Sequence, residues 1–222
     1  MKKISLLIIL LVVAKLAIPV DAQNLNWSSL RHGHRHIINV NTGWDYAASF
    51  GLGYDYALRT KIPSTIHTEI SLPAGNDFAD DLKAKFGGQA RVFKAESILV
   101  TITVYGIFRR AHSQLATLEN FGSEFTGIAG YYKSKWYVAA EFGFDKAIAT
   151  HIRNSDSMKD NYPDVRDGWY VPTGGNFHFG VQGGYSIASY DVYLKVGQTL
   201  DQRFELTAAV PYYFQLGVNK KF

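Results

Sequence analysis

From Tyr46 to Leu58 the chain alternates with a period of two. Tyr46, Ala48, Phe50, Leu52, Tyr54, Tyr56 and Leu58 fall on one side, and Ala47, Ser49, Gly51, Gly53, Asp55 and Ala57 on the other. Side chains alternate across a β-strand, so this strand has a bulky apolar face and a small or polar one. The alternation recurs along the chain. Ile62, Ile66, Ile70 and Leu72 oppose Thr65, His67, Glu69 and Ser71; Phe86, Ala90 and Val92 oppose Lys83, Lys85, Gln89 and Arg91. Ile98, Val100, Ile102, Val104 and Phe108 oppose Thr101, Thr103, Tyr105 and Arg109. Further along, Trp136, Val138, Ala140, Phe142 and Phe144 oppose Tyr137, Glu141, Gly143 and Asp145. Phe177 to Ile187 and Tyr212 to Val218 continue the pattern.

Two closed antiparallel structures use such alternation. A soluble calyx turns its apolar face inward, whereas a membrane barrel turns it to lipid and lines its interior with polar groups. Gly and Ala crowd the polar face here, as a narrow interior requires. Aromatics (Trp44, Tyr46, Tyr54, Tyr56, Tyr131, Tyr132, Trp136, Tyr212) gather towards strand ends, where interfacial girdles sit. Segments of about 10 to 14 residues are long enough to cross a bilayer as tilted strands. The pattern therefore favours the membrane version.

Connections alternate in length. Thr60-Lys61, Ala95-Glu96, Ser134 and Ser189 mark tight turns; Pro73–Asp81, Ala111–Asn120, Thr150–Gly175 and Asp201–Ala209 are longer. Outer-membrane barrels put short turns in the periplasm and long loops outside. The strand ending at Leu58 then runs inward, and an earlier strand must carry the chain outward. The candidate is about Arg31 to Asn41, turning at Thr42-Gly43. The fold class is an all-β, antiparallel, up-and-down transmembrane β-barrel of ten strands. Eight is the alternative if two weak strands merge or drop out, and nine if residues 36–58 form one strand.

The N-terminus reads as an export signal. Lys2 and Lys3 precede the apolar run Ile4–Val13, and Val20-Asp21-Ala22 is a small-residue cleavage site. The division is 1–22 signal peptide and 23–222 outer-membrane β-barrel domain. Lys15 interrupts the apolar run and argues against a permanent membrane helix. There is no Cys, which excludes disulfides and a lipid-modified cysteine. The formal charge of +4 counts Lys2, Lys3 and Lys15 against Asp21 in the leader, so the remainder carries +2. No basic run gives the footprint that nucleic-acid binding requires. Twenty Gly, fourteen Tyr and fourteen Phe against six Pro suit β structure. A mean hydropathy of −0.08 with 47 % hydrophobic residues is what alternation rather than segregation produces.

The stretches TGWDYAASFGLGYDYAL (42–58), GYYKSKWYVAAEFGFDKAIATH (130–151) and YYFQLGVNKKF (212–222) make the chain resemble small outer-membrane β-barrels of the Bacteroidota type, a family of unassigned function. The resemblance is one of strand pattern and carries no catalytic signature. The terminal Phe222 is similar to the signal that barrel-assembly machinery reads. Lys220 departs from it, because an aromatic or apolar residue is usual there.

The interior face carries a candidate polar network: His67, Glu69, Lys83, Lys85, Arg91, Arg109, Glu124, Glu141, Asp145, His178 and Lys195. Charges of both signs in a confined lumen are expected to pair, giving a barrel plugged by its own ion pairs; the rival is a narrow charged conduit. At the outer rim, His112-Ser113 with Glu119, and His151 with Asp145 and Asp156, are the groups an enzyme would use. Their spacing does not require contact, and polar loop residues are the simpler reading. Tyr162, Trp169 and Tyr170 in the longest loop are candidate outer contacts, and NDFADD (76–81) lacks the spacing of a calcium loop. In HGHRH (32–36) the period of two places His32, His34 and His36 on one face, outward below the apolar band, as a periplasmic hem rather than a metal site. No catalytic residue, cofactor or metal is assigned.

The expected function is a non-catalytic integral outer-membrane barrel, structural or accessory, docking its extracellular loops on a partner complex or surface glycan. The expected partners are membrane lipid and lipopolysaccharide, barrel-assembly machinery and other outer-membrane subunits. A narrow passive channel for small solutes and a lipid-modifying or proteolytic enzyme are the alternatives.

Overall fold

A computed structural model describes residues 24–30, 33–44, 47–74, 81–172, 174–206 and 211–222. The strands are β1 (His36–Trp44), β2 (Ala48–Leu58), β3 (Ser64–Pro73), β4 (Asp81–Ala95), β5 (Ile98–His112) and β6 (Ala116–Tyr132). β7 (Trp136–Asn154), a short helix α1 (Asp156–Asn161), β8 (Gly168–Tyr170), β9 (Gly175–Ile187), β10 (Tyr190–Asp201) and β11 (Tyr212–Lys221) follow. Each barrel strand pairs antiparallel with its neighbours, β7 pairs with β9, and β1 with β11 closes the cylinder. Among the described residues ten strands form the closed barrel, and β8 adds only to the upper end of β7.

The predicted first strand is present but shifted. It begins at His36 and runs to Trp44, past the turn expected at Thr42-Gly43. The hydrogen-bonded register explains the shift: Trp44 pairs with Ala48 on β2 and with Phe214 on β11, so both neighbours hold the chain extended beyond Gly43. The nine-strand alternative, with 36–58 continuous, is thereby excluded. The long loop expected over Ala111–Asn120 is also corrected. β5 and β6 stay paired up to His112 and Thr117, leaving Ser113 to Leu115 as the connection. Here and in β7 the ladder continues above the rest of the barrel, and continued pairing satisfies backbone groups that a loop would leave to water. At the opposite end the connections are short: residues 59–63, Glu96-Ser97, 133–135 and Ala188-Ser189. The chain termini of the barrel meet there, with Arg35 N donating to Phe222 O at 2.8 Å.

The two faces separate as the alternation demands. Phe50, Leu52, Ile70, Phe86, Val104, Phe125, Val138, Phe142 and Val181 are all more than half exposed on the outer surface. A continuous apolar belt of this kind marks a surface made for an apolar environment. No helix among the described residues is long and apolar enough to cross a membrane. Inside, His67, Glu69, Lys85, Thr101, Glu141, Gln182, Lys195 and Gln215 are buried. The small residues noted on this face have a steric cause. A Cβ at Gly217 would fall on the Tyr193 ring, and one at Gly143 would fall on the His178 imidazole. These large inward side chains lean over the paired residue of the neighbouring strand, which gives way by having none.

Two bulges break the period locally. One lies between Arg91 and Phe93 on β4, so that Val92 and Phe93 are both exposed. The other, between Phe121 and Gly122 on β6, leaves Ile148 of β7 outside the pairing. Extra residues of this kind bend a strand and raise its twist.

Candidate functional site

The middle of the lumen holds buried ion pairs supplied by facing strands. Register places Asp55 of β2 opposite His67 of β3, and Glu69 of β3 opposite Lys85 of β4. His67 Nδ1 lies 2.6 Å from Asp55 Oδ1, and its Nε2 lies 3.9 Å from Glu69 Oε2. Asn41 Nδ2 donates to Glu69 Oε2 at 3.0 Å. Lys85 Nζ reaches across to Glu124 Oε2 on β6 at 2.6 Å. On the far wall Lys195 Nζ of β10 lies 2.6 Å from Glu141 Oε1 of β7. Glu141 also accepts from Tyr213 OH at 2.5 Å and from Gln182 Nε2 at 3.2 Å. His178 Nε2 and Thr126 Oγ1 are 3.1 Å apart, and the His178 ring stands edge-on to Tyr213. Ions removed from water are tolerated only when such partners complete their hydrogen bonds, and stripping one partner from a buried pair costs about 3–5 kcal/mol.

Most interior candidates are thus brought together in the middle of the lumen, while Arg109 and Asp145 pair nearer the long loops. Lys83 is buried one step nearer the long-loop end, opposite Ser71. Arg91 stands apart at the short-turn mouth. Towards the long loops Arg109 pairs with Asp145 and donates to Asn120 Oδ1 at 3.4 Å, while Asn120 Nδ2 donates to Thr150 Oγ1 at 2.7 Å.

The outer-rim groups do not assemble into a catalytic set. His112 Nδ1 contacts Thr117 Oγ1 at 2.7 Å, and Ser113 Oγ is engaged by its own turn, accepting from Leu115 N and Ala116 N. Glu119 faces His151 and Arg153, at 3.6 and 3.1 Å, rather than His112. Asp145 is taken by Arg109 and not by His151. Trp169 lies in tilted ring contact with His151 and Phe121, with Tyr162 and Tyr170 also exposed on this side. The long loop is clasped at its base. Asp167 accepts from Lys159 Nζ at 2.8 Å and from Asn154 N at 2.8 Å, and those donors hold its carboxyl at about 2.

HGHRH divides. His36 is exposed on the outer face, with its Nδ1 2.7 Å from Tyr54 OH, as the hem reading expects. His34 lies before the strand and lines a cavity at the short-turn mouth, so the shared outward face does not extend to it. His32 falls outside the described residues, as do residues 76–80 of NDFADD and the segment 1–22. Among the described residues no group of three or more His, Asp or Glu converges as a metal site. Phe222 is half-exposed at the closing seam, where Lys220 Nζ sits 4.0 Å from the centre of the Tyr190 ring.

Sequence reasoning missed the segment Asn24–Leu30 altogether. It enters the short-turn end of the lumen, where Asn24, Leu25, Asn26 and Trp27 are all buried. Asn24 Nδ2 donates to Gln215 Oε1 at 3.0 Å, and its carbonyl accepts from Asn219 Nδ2 at 2.7 Å. Asn26 Nδ2 is shared between Lys133 O and Ser186 Oγ, both at 2.9 Å. Trp27 Nε1 donates to Gln89 Oε1 at 3.2 Å. Ser29 Oγ accepts from Lys221 Nζ at 2.6 Å, and Lys221 is paired with Asp191 at 2.7 Å. Around this polar ring lies an apolar core inside the barrel: Leu25 and Trp27 pack with Ile37, Leu99, Ile128 and Tyr193. Burying a large apolar side chain contributes about 1.5–3 kcal/mol. The available signal was Ile37, Leu99 and Ile128, apolar residues on the face that should be polar.

No family model and no curated protein matches the chain. Among solved structures, the KdgM porin in complex with disordered oligogalacturonate aligns at TM-score 0.43 and 10 % identity, covering 84 % of this chain and 99 % of that one. A second KdgM porin structure aligns at 0.42 and 9 %, with the same coverage. A loop L8 deletion mutant of OmpT, an outer membrane protein of Vibrio cholerae, aligns at 0.25 and 12 %, covering 95 % of this chain and 72 % of that one.

Proposed function

We propose that this chain is an integral outer-membrane barrel, closed to ions, with a structural or accessory role exercised through its long-loop end. The observation that carries this is the occupied lumen. Asn24–Leu30 fills the lumen just inside the short-turn mouth, and paired charges with Tyr105, Tyr193 and Tyr213 fill the section above it. The apolar belt supports insertion in lipid, and the alternation of connection lengths supports short turns in the periplasm. Export through a signal peptide cleaved after Ala22, contact with lipopolysaccharide and kinship with the Bacteroidota barrels belong to the same proposal. So does the absence of catalysis, which the separate engagements of His112, Ser113, His151 and Asp145 support. The exposed Tyr162, Trp169 and Tyr170 supply the aromatic contacts that a partner subunit or a glycan would use.

Affinity purification from outer membranes in mild detergent tests the docking role. A stoichiometric subunit that is lost when Tyr162, Trp169 and Tyr170 are changed to Ser supports it. A barrel that purifies alone contradicts it.

A second reading, a gated channel, is favoured by one feature. The plug is a single segment at the start of the described chain, so it can leave the lumen without breaking any barrel strand pairing.

A further inference from the structure

The short-turn mouth contains a cavity of about 870 Å³, of the size that holds a small ligand. Arg35, Arg59, Arg91, Lys94 and Lys133 line it, against the single carboxylate of Glu96. Trp27 and Tyr132 of the plugged lumen also line it. These cations come from separate places: the approach to β1, the β2–β3 turn, the end of β4 and the β6–β7 turn. Among the described residues none of Arg35, Arg59, Arg91 and Lys94 forms an ion pair. Arg35 Nη1 donates to Tyr56 OH at 3.2 Å, while its buried Nε has no hydrogen-bond partner there. A buried guanidinium nitrogen left without an acceptor is uncommon and calls for one. Elsewhere in this barrel the interior cations Lys85, Lys195 and Lys221 each have a carboxylate within 2.7 Å. The mouth departs from that pattern: Arg35, Arg59, Arg91, Lys94 and Lys133 share it with one carboxylate, that of Glu96.

We propose that this cavity binds a multiply charged anion, carrying two or more phosphate or carboxylate groups, with its remaining body against Trp27 and Tyr132. Planar guanidinium groups match both oxyanions in a two-pronged hydrogen-bonding geometry, and three of them around one cavity suit more than one charged group. A cationic rim that merely met lipid headgroups would place its side chains on the outer wall. These line the mouth of the lumen, beside the plug. The same chemistry is available from a soluble anion and from an anionic lipid headgroup.

The test uses the full barrel in nanodiscs of zwitterionic phosphatidylcholine, titrated calorimetrically with pyrophosphate and with citrate. Saturable binding is expected, weakened about tenfold or more when Arg59 and Arg91 are both changed to Ala. The same loss is not expected from Lys159→Ala with Arg203→Ala, which removes two cations at the long-loop end. Circular dichroism and heat-modifiable electrophoretic mobility verify that both variants keep the barrel. Nanodiscs doped with cardiolipin, whose headgroup carries two phosphates, separate the sources. Loss of pyrophosphate binding there assigns the site to a lipid headgroup, and retention assigns it to a soluble anion; either supports the site. No saturable binding of either probe to the intact protein, or equal binding by the Arg59→Ala, Arg91→Ala variant, overturns the proposal.

Discussion

Exchanging Glu141 for Gln keeps the shape of the side chain and removes its charge. Lys195, 1 % exposed and 2.6 Å away, is then left as a buried ion without its counter-charge. At that distance and an effective dielectric of about 20 the gross attraction is roughly 6 kcal/mol. Much of it offsets the loss of hydration by both ions, so the cost of the single change is set by the stranded lysine, about 3–5 kcal/mol. Lys195→Met leaves Glu141 with Tyr213 and Gln182 as donors, which softens the loss to the lower part of that range. The double variant Glu141→Gln, Lys195→Met has no ion to strand and should recover to within about 1–2 kcal/mol of the parent. Urea unfolding of the barrel in phospholipid vesicles, followed by tryptophan emission, gives all four free energies. In a water-filled lumen the same pair would be screened, with an attraction of roughly 1.6 kcal/mol at a dielectric of about 80. Single losses below about 1 kcal/mol that simply add in the double variant would refute the dry, paired interior.

Other consequences follow from the same packing. Trp27→Ala removes the largest apolar anchor of the plug and should cost about 3–5 kcal/mol of plug retention; faster hydrogen exchange at residues 24–30, with the barrel strands unchanged, is the expected signature. Gly217→Leu drives a side chain into the Tyr193 ring and should destabilise the barrel by about 1–3 kcal/mol or more, with partial recovery when Tyr193 is also changed to Ala. The loop clasp is pH-dependent in one direction. Asp167 has its carboxyl lowered to about 2 from 3.8, so its contribution is fully present above about pH 4 and disappears as pH falls through 2. The Asn154 amide shift, followed by NMR, should move in that window and not between pH 4 and 7.

The wall of this barrel was legible because its surroundings are uniform. One side of every strand meets an apolar environment and the other a filled interior, so a period of two survives along the barrel strands except at the two bulges. Errors cluster where another constraint competes. Thr42-Gly43 looks like a turn, yet two neighbouring strands hold it extended. Ala111–Asn120 looks like a loop because its polar residues sit on a ladder that rises clear of the apolar belt. Val92 and Phe93 share a side because a bulge inserts a residue.

The interior was legible one strand at a time, and its pairing was not. Asp55 and His67 are neighbours through register, but Lys85 and Glu124 meet over the intervening β5, and Asn24 meets Gln215 from the other end of the chain. Asn24–Leu30 has no period at all. It is a single layer of plug whose side chains each satisfy a different wall. The basic mouth was hidden for the same reason, since Arg35, Arg59 and Arg91 become a cluster only when strand ends meet.

Single-barrel conductance in a planar bilayer tests closure most directly. The intact chain should give no stable ion-conducting steps, and deletion of residues 24–30 should produce small steps through the ion-paired section or none, without loss of the barrel. Stable steps from the intact protein, unchanged by the deletion, would contradict a lumen closed by residues 24–30.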